Sequence, residues 1–299
     1  MTPEKLRKNL EKLRNEIARK PSIYTSEYAK TIKESFTKYT RTSSVNILSG
    51  SNEMLSAHKW PFPVYNLGSE LGFIKLIAIA SLIIFKLKCY EYLRFIAGRG
   101  MSSELPINDL QPHLDEIMCR HFSLCKKKIF TEWKTNPVFI DKHYLIDNIH
   151  KTYRKGYWYA CMVSALPLLD LVCRHFLKTR KHKDIKIIVA IFRSAGVTAR
   201  DVKPGLGWVE GEEKSNENTV ERDFRLIGIA LGSFLDFADE YYAYFRKTKS
   251  NSEITINRHA IIHCLVDDIW TQENATRILI FLDLTLHLEP VFGILLNEN

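Results

Sequence analysis

The sequence predicts an all-α protein, in which an N-terminal helical region is followed by a C-terminal helical bundle. Apolar residues recur at helical spacing in the first segment, and most of the other segments outside the loops also have the pattern of helices. No clear alternating pattern occurs apart from weak strand candidates near 185–192, and no internal repeat is found. The 299 residues, 45% of them hydrophobic, can bury one large core or two. We divide them into an N-terminal helical region, 1–140, and a C-terminal helical domain, 141–299.

Three helices are predicted in the first half of the chain. A Thr-Pro start and apolar residues at helical spacing indicate a basic amphipathic helix over residues 1–20. Leu71–Phe85 is the most hydrophobic run, but at about 15 residues it is shorter than the roughly 20 that span a membrane, so we expect a buried helix. Residues 113–134 form a third helix, interrupted near Ser123. Residues 39–66 are rich in Ser, Thr and Asn and are predicted to be a loop.

The second half predicts three more helical segments. Residues 141–180 form a long helical stretch that Pro167 should bend or break. A glycine-rich, partly acidic loop over 196–219 leads into a helix from Thr219 to Lys247. The last helix, about Gln272–Leu296, is apolar nearly all round, which predicts burial on several sides.

The positive charge is concentrated in the middle of the chain. The formal net charge is +9. Residues 120–186 contain 15 Lys and Arg against 5 Asp and Glu, whereas residues 256–299 contain 2 against 6. A basic surface of this kind suits a polyanion, although solvated helix faces give the same composition. The first candidates for RNA phosphate contacts form one basic patch: Arg174, Lys178, Arg180, Lys181 and Lys183.

Cysteine usage indicates a reducing compartment. None of the six cysteines forms a Cys-x-x-Cys pair and no secretory signal is recognised, so we expect a cytoplasmic protein. Cys119, His121 and Cys125 match no usual zinc spacing, and ordinary buried cysteines explain them better. No metal and no cofactor are predicted.

One short run near the C-terminus, Thr-Ile-Asn-Arg-His-Ala-Ile-Ile-His, concentrates basic side chains. Thr255 or Asn257 can cap a helix here, and the free N–H groups of a helix start attract anions. His259 and His263 are four residues apart, so they share a helix face at about 40° from each other. Arg258 is about 140° around the helix from His263, on the flank.

These side chains suit the cleavage of RNA by its own 2′-hydroxyl. An imidazole moves protons near neutral pH, while a guanidinium stays charged and forks onto phosphate oxygens. One group removes the hydroxyl proton, another protonates the leaving oxygen, and a cation stabilises the charge at phosphorus, with no need for a metal. The spacing is also that of a surface Arg and a core-facing His. A zinc hydrolase fits poorly, because Ala260 stands where those enzymes carry glutamate.

The motif Asn257-Arg258-His259-x-x-x-His263 resembles the Arg-polar-x-x-x-His signature of HEPN-domain proteins, with His259 in the polar position. Three further stretches, 131–137, 156–170 and 271–283, are similar to a bacterial family with a HEPN-like end. The similarity covers about residues 110–299.

Two positions depart from the pattern of that family. Cys264 follows the final histidine where the family has Gly, and a larger residue there could alter the packing beside the site. Asp170-Leu171 stands where the family has Glu-Gly. Neither change removes a catalytic group.

The resemblance implies an all-α HEPN-like bundle and a metal-independent endoribonuclease, working as a homodimer whose two motifs meet in one cleft. It implies that His263 transfers protons, that Arg258 contacts the scissile phosphate, and that Asn257 and His259 position it. The expected partners are RNA, a second copy of the chain, and an antitoxin or regulatory protein, with no membrane. A toxin or antiviral defence role would fit. The alternative is a non-catalytic module that binds RNA, a nucleotide or a protein.

Overall fold

The computed structural model describes Lys8, Asn52, Phe292 and residues 55–63, 107–176, 219–242, 256–266 and 268–288. Of the residues it describes, 80% are helical and none lies in a strand. The all-α prediction is therefore confirmed for this part of the chain. The predicted helices at 1–20 and 71–85 and the loop at 196–219 fall almost entirely outside it.

Within the described residues, six α-helices contain five residues or more: α1 Ile107–Thr135, α2 His143–Arg154, α3 Trp158–Phe176, α4 Thr219–Tyr241, α5 Arg258–Ile262 and α6 Gln272–His287. A short 3-10 turn, Pro137–Phe139, joins α1 to α2. Helix α3 packs against α2 and α6, and α6 also packs against α1 and α4. The short helix α5 lies on α3. Helices α3 and α6 are thus the centre of the bundle.

Helix α6 is the most deeply buried element. Thr271 caps its start by accepting a hydrogen bond from the Asn274 N–H at 3.3 Å. Every residue from Ala275 to Leu286 is buried, as the apolar sequence predicted. The helix ends at His287, so its predicted end at Leu296 is wrong. Pro290 follows shortly after this end, where proline is common because it cannot continue a helix.

Helix α1 is continuous, so the predicted interruption near Ser123 is wrong. Buried side chains recur at helical spacing straight through this point, at Met118, Phe122, Cys125 and Ile129. Their burial outweighs the weak helix preference of one serine.

The break in the 141–180 stretch lies at Gly156 and not at Pro167. The Gly156 N–H donates to the Tyr153 carbonyl at 3.2 Å, and the Tyr157 N–H donates to the Thr152 carbonyl at 3.0 Å. This pair of bonds ends a helix and needs a left-handed residue, which Gly156 supplies with a φ of +73°. Helix α3 then runs through Pro167 to Phe176.

Residues 55–63 pack against the bundle. The predicted loop over 39–66 is wrong for residues 55–57, whereas residues 58–63 lie outside any helix, as predicted. Leu55–Ala57 is helical, and Trp60 and Phe62 are buried. The Trp60 indole N–H donates to Asp115 Oδ1 at 2.7 Å. The buried guanidinium of Arg277 donates to the same oxygen at 2.7 Å.

The described residues on both sides of position 140 contribute to one hydrophobic core. Trp60 and Trp133 bury their rings in it from one side of that position, and Phe281 from the other. The division at 140 itself stays a prediction, since most of residues 1–106 lie outside the described chain.

Asp283 is a fully buried carboxylate in α6. Its Oδ1 accepts a hydrogen bond from the Trp133 indole N–H at 2.8 Å, and its Oδ2 lies 3.5 Å from His287 Nδ1. Burial raises the pKa of Asp283, with His287 and the Trp133 bond acting against it. The folded protein therefore binds a proton at this carboxyl more readily than the unfolded chain does.

Replacing Asp283 by Asn should remove a pH-dependent loss of stability. Because its folded-state pKa is raised, the wild-type free energy of unfolding falls as pH rises above the unfolded pKa of about 4, at up to about 1.4 kcal/mol per pH unit. The fall ends once the pH passes the folded pKa. Urea unfolding of both proteins between pH 4 and 8 measures the difference. If the free energies of unfolding of the two proteins changed with pH in the same way, the raised pKa of Asp283 would be contradicted.

Candidate functional site

The basic motif stands on the five-residue helix α5. Asn257 caps it, because its side-chain oxygen accepts from the His259 N–H at 3.0 Å and the Ala260 N–H at 3.2 Å. Of the two predicted caps, Asn257 is thus the one used, and Thr255 lies outside the described residues. The Asn257 amide also donates to the Glu240 carbonyl at 3.4 Å. Asn257 is buried and anchors the motif to the end of α4.

Helix α5 ends in a left-handed turn at Cys264. The Leu265 N–H donates to the Ala260 carbonyl at 3.0 Å, and the Cys264 N–H donates to the Ile261 carbonyl at 3.4 Å. This is the pattern that ends α2 at Gly156, but here the left-handed residue is a cysteine with a φ of +48°. Cys264 is exposed, so the turn accommodates its side chain without displacing the core.

Replacing Cys264 by Gly should stabilise the protein by about 0.5–1 kcal/mol. Glycine removes the left-handed penalty of about 1–2 kcal/mol, partly offset by its greater freedom in the unfolded chain. Replacement by Val should destabilise it, because a β-branched residue fits this conformation worst. Thermal unfolding of the three proteins tests the order. Equal melting temperatures for the Gly and Val variants would contradict it.

The two histidines of the motif lie together on the surface. His259 and His263 are both exposed, and their ring centroids are 4.3 Å apart with the planes inclined by 54°. They share one face of the helix, as the spacing of four predicted. The alternative of a surface Arg with a core-facing His is wrong for this chain. The histidines face outward, while the Arg258 side chain is only 20% exposed.

Arg258 binds a carboxylate of the central helix. Its Nη2 donates to Asp170 Oδ2 on α3 at 2.9 Å, and the Asp170 side chain is 15% exposed. Helix α5 packs on α3, with Ala260 and Ile261 buried, and this packing brings the two charges together. An Arg–carboxylate bond of this length is a strong, orienting contact. Asp170 therefore fixes the direction of the Arg258 guanidinium.

A groove of about 540 Å³ opens beside this ion pair. Three cationic side chains line it, Lys142, Arg174 and Arg258, together with one carboxylate, Asp170. Two exposed tyrosines also line it, Tyr144 and Tyr159. Apolar side chains make up most of the remaining wall: Leu145, Val163, Leu166, Pro167, Leu171 and Ile262. Arg258 and Ile262 face the groove, whereas His259 and His263 occupy the neighbouring face of α5 and do not line it.

The predicted basic patch is described only at its first residue. Arg174 is exposed and lines the groove. Lys178, Arg180, Lys181 and Lys183 lie outside the described residues.

Sequence reasoning missed Asp170 as the partner of Arg258, and it missed Lys142 and Tyr144 as groove residues. The signal was the face of α3 on which the lining residues recur at helical spacing: Tyr159, Val163, Pro167, Asp170 and Arg174. Polar and aromatic residues along one face of an otherwise apolar helix indicate that this face does not pack into the hydrophobic core.

Tyr159 touches both the motif and the groove. The Cys264 thiol donates to its hydroxyl at 3.7 Å, and its ring packs edge-on against Trp270 with centroids 4.7 Å apart. The bond with Cys264 raises the pKa of Tyr159. The phenol is therefore neutral at physiological pH, where it forms the hydrogen bond with Cys264 and the edge-on contact with Trp270.

The candidate zinc residues have other contacts. The Cys119 thiol donates to Thr276 Oγ1 at 3.6 Å, and Cys125 Sγ lies 4.0 Å from His121 Nε2. Burial raises the pKa of Cys119 to about 11, so its metal-binding thiolate form is disfavoured. Within the described ranges, no cluster of three or more His, Cys, Asp or Glu side chains is placed to hold a metal ion.

Comparison with known proteins assigns no family. No family model matches the sequence. No curated protein and no solved structure matches it significantly. Among the described helices, none combines the length and apolar character that crossing a bilayer requires.

Proposed function

We propose that this chain is a metal-independent endoribonuclease of the HEPN type, which cleaves RNA by attack of the 2′-hydroxyl on the adjacent phosphorus. The supporting observation is the exposed His259–His263 pair on α5, next to a groove that Arg258 lines. Two accessible imidazoles and an oriented guanidinium supply both proton transfer and charge stabilisation.

The reaction needs two proton movements. One imidazole removes the proton of the 2′-hydroxyl as its oxygen bonds to phosphorus. The bond from phosphorus to the 5′-oxygen breaks, and a second group protonates that oxygen. The products are a 2′,3′-cyclic phosphate and a free 5′-hydroxyl. In this proposal His263 transfers protons and Arg258 contacts the scissile phosphate. Asn257 and His259 position that phosphate.

A homodimer would complete this site. Arg258 and the histidines are on neighbouring faces of α5, so a second copy packed over the helix supplies a second set of groups across the cleft. Exposed apolar side chains flank the histidines, namely Ile262 and Leu265. Exposed apolar residues grouped around a polar site favour an interface with another protein surface.

The Arg258–Asp170 pair favours a second candidate function. A guanidinium neutralised by a carboxylate at 2.9 Å attracts phosphate less than a lone cation does. A module that binds RNA without cutting it would have this property. The two functions differ in whether the RNA is cleaved during incubation with the protein.

Incubating the purified protein with total RNA in EDTA tests the proposal. The expected result is cleavage that leaves 2′,3′-cyclic phosphate ends, together with growth arrest on expression that His263→Ala relieves. Light scattering should give the mass of two chains. Intact RNA after incubation with folded, dimeric protein would favour the binding module, and cleavage that EDTA abolishes would refute the metal-independent mechanism.

A further inference from the structure

We propose that the groove formed by α2, α3 and α5 seats one nucleotide of a single-stranded RNA, with its base against the apolar wall and its phosphate on Lys142 and Arg174. This inference rests on the proposed ribonuclease function, since it places the strand beside the motif. It adds a binding site that the Arg/His motif does not contain.

The size and lining of the groove suit a nucleotide. Its volume of about 540 Å³ lies within the roughly 300–1,000 Å³ of small-ligand pockets. Leu145, Val163, Leu166 and Leu171 give it an apolar wall that can cover the face of a base. The groove is partly open to solvent, as a site on a continuous strand requires.

The charges in the groove favour a phosphate. Asp170 neutralises Arg258, so the net positive charge of the lining comes from Lys142 and Arg174. Arg174 follows Asp170 by four residues on α3, so both project from the same helix face. A groove with this excess of positive charge attracts the backbone of a nucleic acid.

The two tyrosines favour a nucleotide, which has an aromatic base, over other anionic ligands. Tyr144 is 66% exposed and Tyr159 is 48% exposed, although both line the groove. Exposed aromatic rings next to cations are the usual platform for single-stranded nucleic acid. An acidic peptide would use the cations but would have little use for two rings.

Anisotropy titration of a fluorescent single-stranded RNA with 2′-O-methyl riboses, which cannot be cleaved, tests the proposal. Tyr144→Ala should weaken binding by about fivefold or more, the low end of the loss of one stacking contact. Arg174→Gln should reduce the slope of log affinity against log salt by about 1. Tyr157→Ala and Arg154→Gln are matched controls, because these residues are also exposed but do not line the groove.

The outcomes separate this inference from the ribonuclease proposal. If the variants bind and cut RNA like the wild type, the groove assignment is overturned while the nuclease stands. If the protein cuts no RNA but binds it in a manner dependent on Tyr144 and Arg174, the groove stands and the nuclease does not. A free mononucleotide that binds as tightly as the strand would overturn the assignment to RNA.

Discussion

His263→Ala should lower the rate of RNA cleavage by about 100-fold or more, since a positioned proton-transfer group contributes roughly 10²–10⁴-fold. The side chain is exposed and follows the last turn of α5, so its truncation should change stability by less than about 0.5 kcal/mol. The measurement is the initial rate of cleavage of a labelled RNA in EDTA, with circular dichroism as the check on folding.

His113→Ala is the matched control for this substitution. His113 is an exposed histidine on α1, outside the motif and the groove. It should cut RNA at the wild-type rate. If His263→Ala and His113→Ala are equally active, His263 is not the proton-transfer group and the site assignment fails.

Trp133→Ala should destabilise the protein by about 3–5 kcal/mol, the usual range for truncating a large buried aromatic ring. Trp133 lies near the end of α1, and its side chain is fully buried. Its ring packs edge-on against Phe130, with the two ring centroids 5.1 Å apart. The substitution also removes the indole N–H that donates to Asp283, so a buried carboxylate loses its donor. Urea unfolding at neutral pH gives the free energy.

Trp133→Phe separates packing from hydrogen bonding. It keeps most of the ring volume but lacks the N–H, so it should cost about 1–3 kcal/mol. Tyr157→Ala, at an exposed turn, should remain within about 0.5 kcal/mol of the wild type. Equal losses for the Ala and Phe variants would show that the ring contributes nothing beyond its N–H.

Hydrophobic periodicity was sufficient to predict the helical class and the burial of α6. The helix ends were harder to predict, because they depend on single residues in left-handed turns. Gly156 marks such a turn and could have been recognised. Cys264 occupies the same kind of turn with a residue that gives no sign of it, so no local signal showed that α5 has only five residues.

The groove could not be assembled from the sequence, because its walls come from three separated segments. Asp170 and Arg258 are 88 residues apart, and only the packing of α5 on α3 makes them partners. The orientation of the motif was equally undetermined. Spacing placed the histidines on one face of a helix, but tertiary contacts decided that this face is exposed.

Glu240 connects two regions that are far apart in the sequence. Its carboxylate forms an ion pair with Lys59, and its carbonyl accepts the long bond from the Asn257 amide that caps the motif. Lys59 and the start of α5 are therefore linked through Glu240, which contacts both. A protein shortened to residues 141–299 would lack this brace as well as helix α1, so an inactive fragment would say little about the motif itself. Activity measurements should therefore use residues 1–299.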